Sequence, residues 1–519
     1  MNDYLQGESH LARFYTGSFR DPEAYRAKAR EVADRFHHDA RRRALSMLRP
    51  PSGAASLRLE RWLEEGGVFV TTGQQPGLFG GPLFSLYKAL TAVRLAQALE
   101  PVLDKPVLPL FWMASEDHDW EEASKSHLLD SENRIRTLEL PVQEGQENRP
   151  LHRIGVRKGM KDAVDEASQI LPDSDFSRPY LELIRESYSP GATLPEAFHS
   201  LLQGLLEDLP ILFVEAHDPR LKEASLPILF QELEAAEEHE ALLSRVSSHL
   251  EMEGYHTQVP VLEAGVNLFL EGPRGRDRLY REGGGFRLHR ASVSLSAREI
   301  RERCREDPGL LSPNVLLRPV VESALFPTVG YVAGPGEVAY YAQLRELFEA
   351  HDLVMPVIHP RHSVTLLERK IGKVLEKFHL PVEALARPHH ELAGEMAREE
   401  IPPEIRKSLG EIRGAVGKGS GTLARAVKEL DPTLKGPVTH ARNAAFTAFD
   451  EAERKILQAV KRENEIALEQ LAKAQNHLFP LGKPQERVTN PLYYLARYGP
   501  ELVDALLERF DVDLGTETR

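Results

Sequence analysis

The chain has 519 residues, of which 41% are hydrophobic and 28% charged, with a formal net charge of −14 at pH 7. A domain usually takes roughly 100 to 200 residues, so this length calls for two or three cores. No run approaches the ~20 apolar residues of a membrane span, and the acidic balance argues against nucleic acid as main ligand, because that affinity comes from lysine and arginine displacing counterions.

The N-terminus, Met1-Asn2-Asp3-Tyr4, lacks the basic stretch and apolar run of a secretory signal, so a cytoplasmic protein is expected. The single cysteine, Cys304, sits in the charged run Arg301-Glu302-Arg303-Cys304-Arg305-Glu306, which excludes a disulfide framework or a multi-cysteine zinc site.

Residues 1–66 read as a polar, mostly helical segment carrying the basic run Arg41-Arg42-Arg43. From Gly67 short apolar runs alternate with Gly/Pro turns and helical periodicity, the signature of βα units in a parallel sheet. The expected strands are Val68 to Thr71, Val107 to Trp112, Ile211 to Val214, Val329 to Ala333 and Val354 to Ile358. Pro109 pushes the second towards an edge or a strand start. Helices are expected from Pro82 to Leu99 and from Glu337 to about Ala350, the first opened by a proline suited to the first turn.

The gaps near 121–209 and 220–315 are far longer than ordinary connections and read as inserted modules, the second partly β around Gly283-Gly284-Gly285. The resulting α/β core spans 67–385. Residues 386–480 turn Ala/Glu/Lys/Arg-rich, with Ala452, Ile456, Val460, Ala467, Leu471, Ala474 and Leu478 at three- and four-residue spacing and Asn464 in the seam. That pattern predicts an antiparallel coiled coil turning at Pro432 and Gly436-Pro437, a dimerisation or docking arm. Residues 481–519 are expected to pack back on the core.

The polar clusters fall at strand ends, where doubly wound sheets bind ligands. Thr72, Gly73, Gln74, Gln75, Gly77 and Gly81 form a glycine-rich loop before a helix, an anion site by its free amides or a plain tight turn. It matches neither the P-loop nor the dinucleotide fingerprint. Glu116-Asp117-His118-Asp119 offers a general base, an amine site or metal ligands with His217, Asp218 or His359, or else a solvated helix cap. Arg318 with Gly334, Gly336 and Glu337 forms a second ligand loop or a structural turn; Arg361 and Ser363 form an anion clamp or a capped helix start. Arg487, Asn490, Tyr494 and Tyr498 are either a second pocket or glue for the tail.

Thr72-Gly73-Gln74-Gln75-Pro76-Gly77-Leu78 through Gly81-Pro82-Leu83, Trp112 through Asp119, Val332 through Glu337, and Gln485-Glu486-Arg487 with Asn490 resemble the BshC family of bacillithiol synthesis. The resemblance implies a Rossmann-like core with connecting-peptide insertions, akin to class I aminoacyl-tRNA synthetases, and a coiled-coil domain through which two chains pair as a homodimer. It implies an amide-forming ligase that joins cysteine to the amine of glucosaminyl-malate.

By that kinship the first glycine loop stands where the synthetases carry H-x-G-H, yet Phe79-Gly80-Gly81 has no histidine and no K-M-S-K-S loop follows the last strand. ATP or ADP is the expected nucleotide, with cysteinyl-adenylate as the activated donor; the need for a metal stays open. In this picture Gln74, Gln75 and the loop amides hold an anionic group, Asp117 or Asp119 binds an ammonium, and His118 accepts a proton. The rival expectations are a metal-dependent hydrolase built on Asp117, His118, Asp119 and His217, and a non-catalytic coiled-coil scaffold.

Overall fold

The computed structural model describes residues 1–51, 53–141, 148–155, 159–189, 191–291 and 293–515; the last four residues of the C-terminal segment lie outside these. The chain divides into two compact units, one of residues 1–131, 136–364 and 486–519, the other of residues 132–135 and 365–485. The division falls at Val364/Thr365 and Gln485/Glu486, whereas composition alone put it at 385/386 and 480/481.

The first unit is built on a parallel sheet of β1 (Val68–Gln74), β2 (Val107–Met113), β3 (Leu212–Glu215), β9 (Thr328–Ala333) and β10 (Val357–Pro360) in the order β10-β9-β1-β2-β3. Every residue of β2, β3, β9 and β10 is buried, the continuous apolar pattern of a sheet covered on both faces. The chain runs outward from β1 through β2 to β3, then returns to β9 on the other side of β1. The switch point therefore lies between β1 and β9.

Helix α1 (Leu83–Leu103) follows β1 and packs on the sheet with fourteen buried residues. β2 is an interior strand, not the edge that Pro109 suggested. Pro109 opposes Val70 on β1, but pairing with β3 starts one residue later, at Leu110↔Leu212, so the missing N–H breaks no bond of that ladder. The helix expected over 337–350 is two, α5 (Pro335–Tyr341) and α6 (Arg345–Ala350). Buried Gln343 lies between them and bonds Val259 in both directions, Nε2 to its O at 3.0 Å and Oε1 from its N at 3.1 Å. β10 starts three residues later than expected, after Pro356, whose nitrogen cannot donate to a ladder.

The N-terminal helices Pro22–Arg35 and His38–Ser46 join the same core. Arg41 of the basic run is buried and donates from Nε to Gly67 O at 3.0 Å, so it is structural. The second insertion supplies α2 (Pro219–Glu234), α3 (Ala236–Met252), α4 (Arg318–Leu325) beyond it, and an antiparallel sheet of β4 (Gly265–Gly272), β5 (Gly275–Glu282), β6 (Gly285–Leu288), β7 (Ser294–Leu295) and β8 (Leu311–Pro313), ordered β8-β4-β5-β6-β7. The β5–β6 turn is Gly283-Gly284, φ +57° and +80°, as a two-residue hairpin loop requires.

In the second unit α7 (Arg369–Phe378) and α8 (His389–Glu399) precede an antiparallel hairpin of α9 (Pro403–Leu430) and α10 (Lys435–Glu463), followed by α11 (Glu465–Leu478). The hairpin turns at Pro432–Leu434, while Gly436 and Pro437 lie in the first turn of α10. Arg413 ties the arms to Asp450 at 2.6 Å and Glu453 at 2.8 Å. Asn464 is a break, not a seam position: its Nδ2 bonds Val460 O at 3.1 Å and competes with the helical ladder. Among the described residues no helix is long and apolar enough to cross a membrane.

Candidate active site

At the switch point the strand ends surround a cavity of about 620 Å³, within the usual range for small-molecule pockets, about 300–1,000 Å³. β1 contributes Gly73, Gln74 and Gln75; β2 leads to Trp112, Glu116, Asp117 and His118; β9 leads to Gly334, Gly336 and Glu337; Arg361 follows β10. The second insertion adds Phe269, Arg276, Arg278 and Asn314, α4 beyond it adds Arg318, and the C-terminal segment adds Arg487. The glutamine turn and the acidic-histidine cluster thus face one space.

Gln75 bridges them, donating from Nε2 to Asp119 O at 2.9 Å. Gly73 is required where it stands, since a Cβ there would lie 2.9 Å from Trp112 O. Lys88 on α1 donates to Gly73 O at 2.7 Å and Gln74 Oε1 at 3.2 Å and pairs with Glu337 Oε2 at 2.6 Å. Glu337 also accepts from Tyr331 OH at 2.7 Å and from Gly334 N at 2.8 Å, capping its own helix. The tips of β1 and β9 are stitched together across the switch point.

Asp117 Oδ1 accepts the backbone N–H of His118 at 2.7 Å and of Asp119 at 3.3 Å, a turn that aims His118 at the insertion. There His118 Nδ1 meets Arg276 Nη1 at 3.2 Å. Burial, and then the guanidinium, hold the imidazole below its ordinary value, so it is neutral at pH 7. A guanidinium can only donate, so Nδ1 accepts and the ring proton sits on Nε2. His118 is therefore a donor in this arrangement, not the proton acceptor expected from sequence.

Arg276 is 9% exposed, bonded to Ser312 Oγ at 2.9 Å and Pro313 O at 2.8 Å, with its guanidinium 4.0 Å from the Phe269 ring centre. No carboxylate of the described residues lies within salt-bridge distance of it.

Several expected site residues serve the fold instead. Asp119 caps the short helix Trp120–Ala123, accepting from Glu122 N at 3.1 Å. Thr72 bonds Val332 O at 2.9 Å. Gly77 and Gly81 lie outside the cavity lining, and three amides at the end of their loop are engaged: Gly80 N by Gly77 O and Gly81 N by Leu78 O, both at 3.2 Å, and Leu83 N by Thr489 O at 2.9 Å. From Phe79 to Leu83 the loop is a tight turn whose amides face protein partners.

Arg318 lines the cavity but pairs with Glu322 at 2.7 Å. Arg361 is held by Glu486 through both nitrogens, at 2.9 and 2.7 Å, and Ser363 donates to the same carboxylate at 2.6 Å. Ser363 caps no helix, since α7 opens at Arg369. The proposed tail pocket dissolves: Arg487 joins the main cavity, Asn490 Nδ2 is bonded to Phe79 O, Gly81 O and Ser126 Oγ within 3.0 Å, Tyr494 is buried and Tyr498 exposed.

Sequence reasoning missed Lys88, Arg276 and Arg278. Lys88 carried a signal as a lone lysine in the apolar first half of α1. Arg276 and Arg278 share a strand face by their two-residue spacing, but so would any solvated hairpin.

Beside the cavity His152 and His217 stack with ring centres 4.4 Å apart. Ser115 ties them, through Oγ to His217 Nδ1 at 2.7 Å and through its carbonyl to His152 Nδ1 at 3.1 Å. Burial pushes both, and His199, down to about 4. With the folded value below the ordinary one near 6.5, the unfolded chain binds more protons in this window, so stability is full above about pH 6.5 and falls as pH drops towards 4. A thermal midpoint that drops by several degrees between pH 7 and 5 is expected, and one that stays flat would contradict neutral burial of the three rings.

Residues 1–362 match the family model described as "Bacillithiol biosynthesis BshC, N-terminal Rossmann-like domain", and residues 364–515 the "C-terminal coiled-coil domain" of the same family. A Salinibacter ruber protein named "Putative cysteine ligase BshC" is 33% identical over 98% of this chain and 94% of its own length. Proteins of the same name from Chlorobaculum tepidum, 33% identical over 84% and 80% of the two lengths, and Solibacter usitatus, 30% over 98% and 95%, agree along the sequence. The chain belongs to the BshC family of bacillithiol biosynthesis.

Proposed function

We propose that the chain joins the carboxyl carbon of cysteine to the glucosamine nitrogen of glucosaminyl-malate, with an ATP-derived cysteinyl-adenylate as acyl donor. In that step the amide C–N bond forms, the acyl C–O bond to the nucleotide phosphate breaks, and the amine gives up a proton. The observation that carries the reading is Arg276: a buried guanidinium without a carboxylate partner, facing a cavity that also holds Lys88, Arg278, Arg318, Arg361 and Arg487 against Glu116, Asp117, Glu122 and Glu337. Lys88, Arg318 and Arg361 are paired with Glu337, Glu322 and Glu486, but among the described residues Arg276, Arg278 and Arg487 have no carboxylate within salt-bridge distance, and three such cations favour anionic ligands such as a malate group or phosphates.

A nucleotide's phosphates would be met by the Arg276, Arg278 and Arg487 side chains, because the amides of Phe79, Gly80, Gly81 and Leu83 are already bonded. Asp117, half-exposed at the cavity, suits the amine nucleophile as ammonium ligand and proton acceptor. His118 Nε2–H donates to the oxygen that gains charge as the carbonyl is attacked.

Incubating purified protein with cysteine, ATP and glucosaminyl-malate is expected to give the thiol product with one AMP per turnover, read by mass spectrometry. Full turnover without nucleotide would discard the adenylate; no product under any nucleotide would discard the ligase. The hydrolase alternative loses ground because Asp119 is a helix cap and Arg276 occupies the imidazole nitrogen nearest Asp117. Two chains pair through the α9–α10 hairpin, whose first arm has no buried residue and exposes Ile412 and Leu423; light scattering at twice the chain mass tests it.

A further inference from the structure

We propose that Glu232, His239 and His351 bind a divalent transition-metal ion, zinc by ligand type, as a structural clip away from the catalytic cavity. Glu232 lies in the last turn of α2, His239 in the first turn of α3, and His351 follows α6 at the approach to β10. One ligand atom from each lies within 4.8 Å of the others, and all three side chains are buried. Two imidazoles and a carboxylate form a ligand set suited to zinc and its late first-row neighbours.

Two independent features point to an ion. His351 is 3% exposed, and neither ring nitrogen has a hydrogen-bond partner; Nε2 is aimed at Glu232 Oε2 from 3.9 Å, too far for a hydrogen bond and close to the spacing of two ligands on one ion. An imidazole always carries at least one N–H, so burial without a partner calls for an occupant. The carboxylate is also held from behind. Asn267 donates to Glu232 Oε1 from its backbone N at 3.2 Å and from Nδ2 at 2.9 Å, leaving Oε2 turned to the histidines. Such outer bonds are how proteins orient metal ligands.

With about 2.0 to 2.2 Å from zinc to each ligand, the only close contact to be exchanged is Glu232 Oε2 to His239 Nδ1, now 2.5 Å apart. All three side chains are buried and none of them lines the catalytic cavity, which fits a structural role. Asn267 Oδ1 in turn accepts Asn314 Nδ2 at 2.9 Å, and Asn314 Oδ1 accepts the amides of Leu316 and Leu317 at 2.9 and 3.0 Å, directly before Arg318. A bound ion would thereby stiffen one wall of the cavity.

The test uses the full chain, stripped with a chelator and titrated with zinc alone against a chromophoric competitor. One zinc per chain, a higher thermal midpoint on addition, and an X-ray absorption spectrum with imidazole scattering are expected. His351→Ala and Glu232→Gln are expected to weaken zinc at least about tenfold, while His118→Ala keeps it. Less than about one-tenth zinc per chain with no thermal shift in excess zinc overturns the site. So does unchanged affinity in both ligand variants. Should those variants fail to fold, the wild-type spectrum decides: imidazole scattering supports the proposal, and its absence overturns it.

Discussion

Replacing Arg276 by methionine is expected to lower kcat/KM for the condensation by roughly two to three orders of magnitude while moving the thermal midpoint by only a few degrees. Truncating one partner of a buried hydrogen-bonded charge pair costs about 2–5 kcal/mol, at about 1.4 kcal/mol per factor of ten. Here the missing partner is the substrate's anion, so the loss falls on binding and catalysis. In the free protein the guanidinium sits in the cavity wall with no carboxylate against it, bonded only to Ser312 Oγ, Pro313 O and His118 Nδ1. Removing it relieves an unbalanced buried charge and strands one carbonyl, effects that oppose each other.

Arg276→Lys keeps the charge but loses the fork, and is expected to recover only part of the activity. Arg276→Met should raise the His118 titration point, because the guanidinium charge is, after burial, the largest cause holding it down. Steady-state kinetics with the anionic acceptor varied, beside a melt and an imidazole titration by NMR, decides the matter. A loss below about threefold, or a loss that merely tracks a collapsed midpoint, would remove Arg276 from the site.

The sheet was legible because its strands are buried on both faces and so appear as unbroken apolar runs, Val68 to Val70 and Val107 to Leu108 among them. The coincidence of polar clusters with strand ends then located the cavity without any side-chain geometry. What stayed hidden was which atoms of those clusters are already engaged. Nothing in Thr71 to Pro82 says that Tyr188, more than one hundred residues away, takes the amide of Phe79, or that Asn490 takes the carbonyls of Phe79 and Gly81. Those partners make the Phe79–Gly81 end of the loop a packed corner. In the same way Arg361 reads as a clamp until Glu486 is seen to fill its fork, and Asp119 reads as a ligand until Glu122 N is seen against it. Long-range hydrogen bonds leave no local periodicity, so sequence patterns register the polar residue and not its engagement.

Lys88→Met is expected to destabilise the first unit by about 3–5 kcal/mol, the cost of leaving one member of a buried ion pair uncompensated. Lys88 and Glu337 have side chains only 5% and 19% exposed, so water cannot replace the lost partner. Glu337 keeps Tyr331 and Gly334 as donors, which places the loss nearer the lower end of that range. Urea unfolding followed by tryptophan fluorescence reads this unit alone, since Trp62, Trp112 and Trp120 all belong to it. Adding Glu337→Gln to Lys88→Met removes the stranded charge and is expected to restore more than half of the loss, although Glu337→Gln alone is itself destabilising. Such a sign reversal is the mark of direct coupling in a double-mutant cycle. Additive losses would mean that the two residues stabilise β1 and β9 separately, and that the switch point is closed by backbone packing instead of by the ion pair. The lysine also holds Gly73 O and Gln74 Oε1, so its loss should raise KM even where the fold survives.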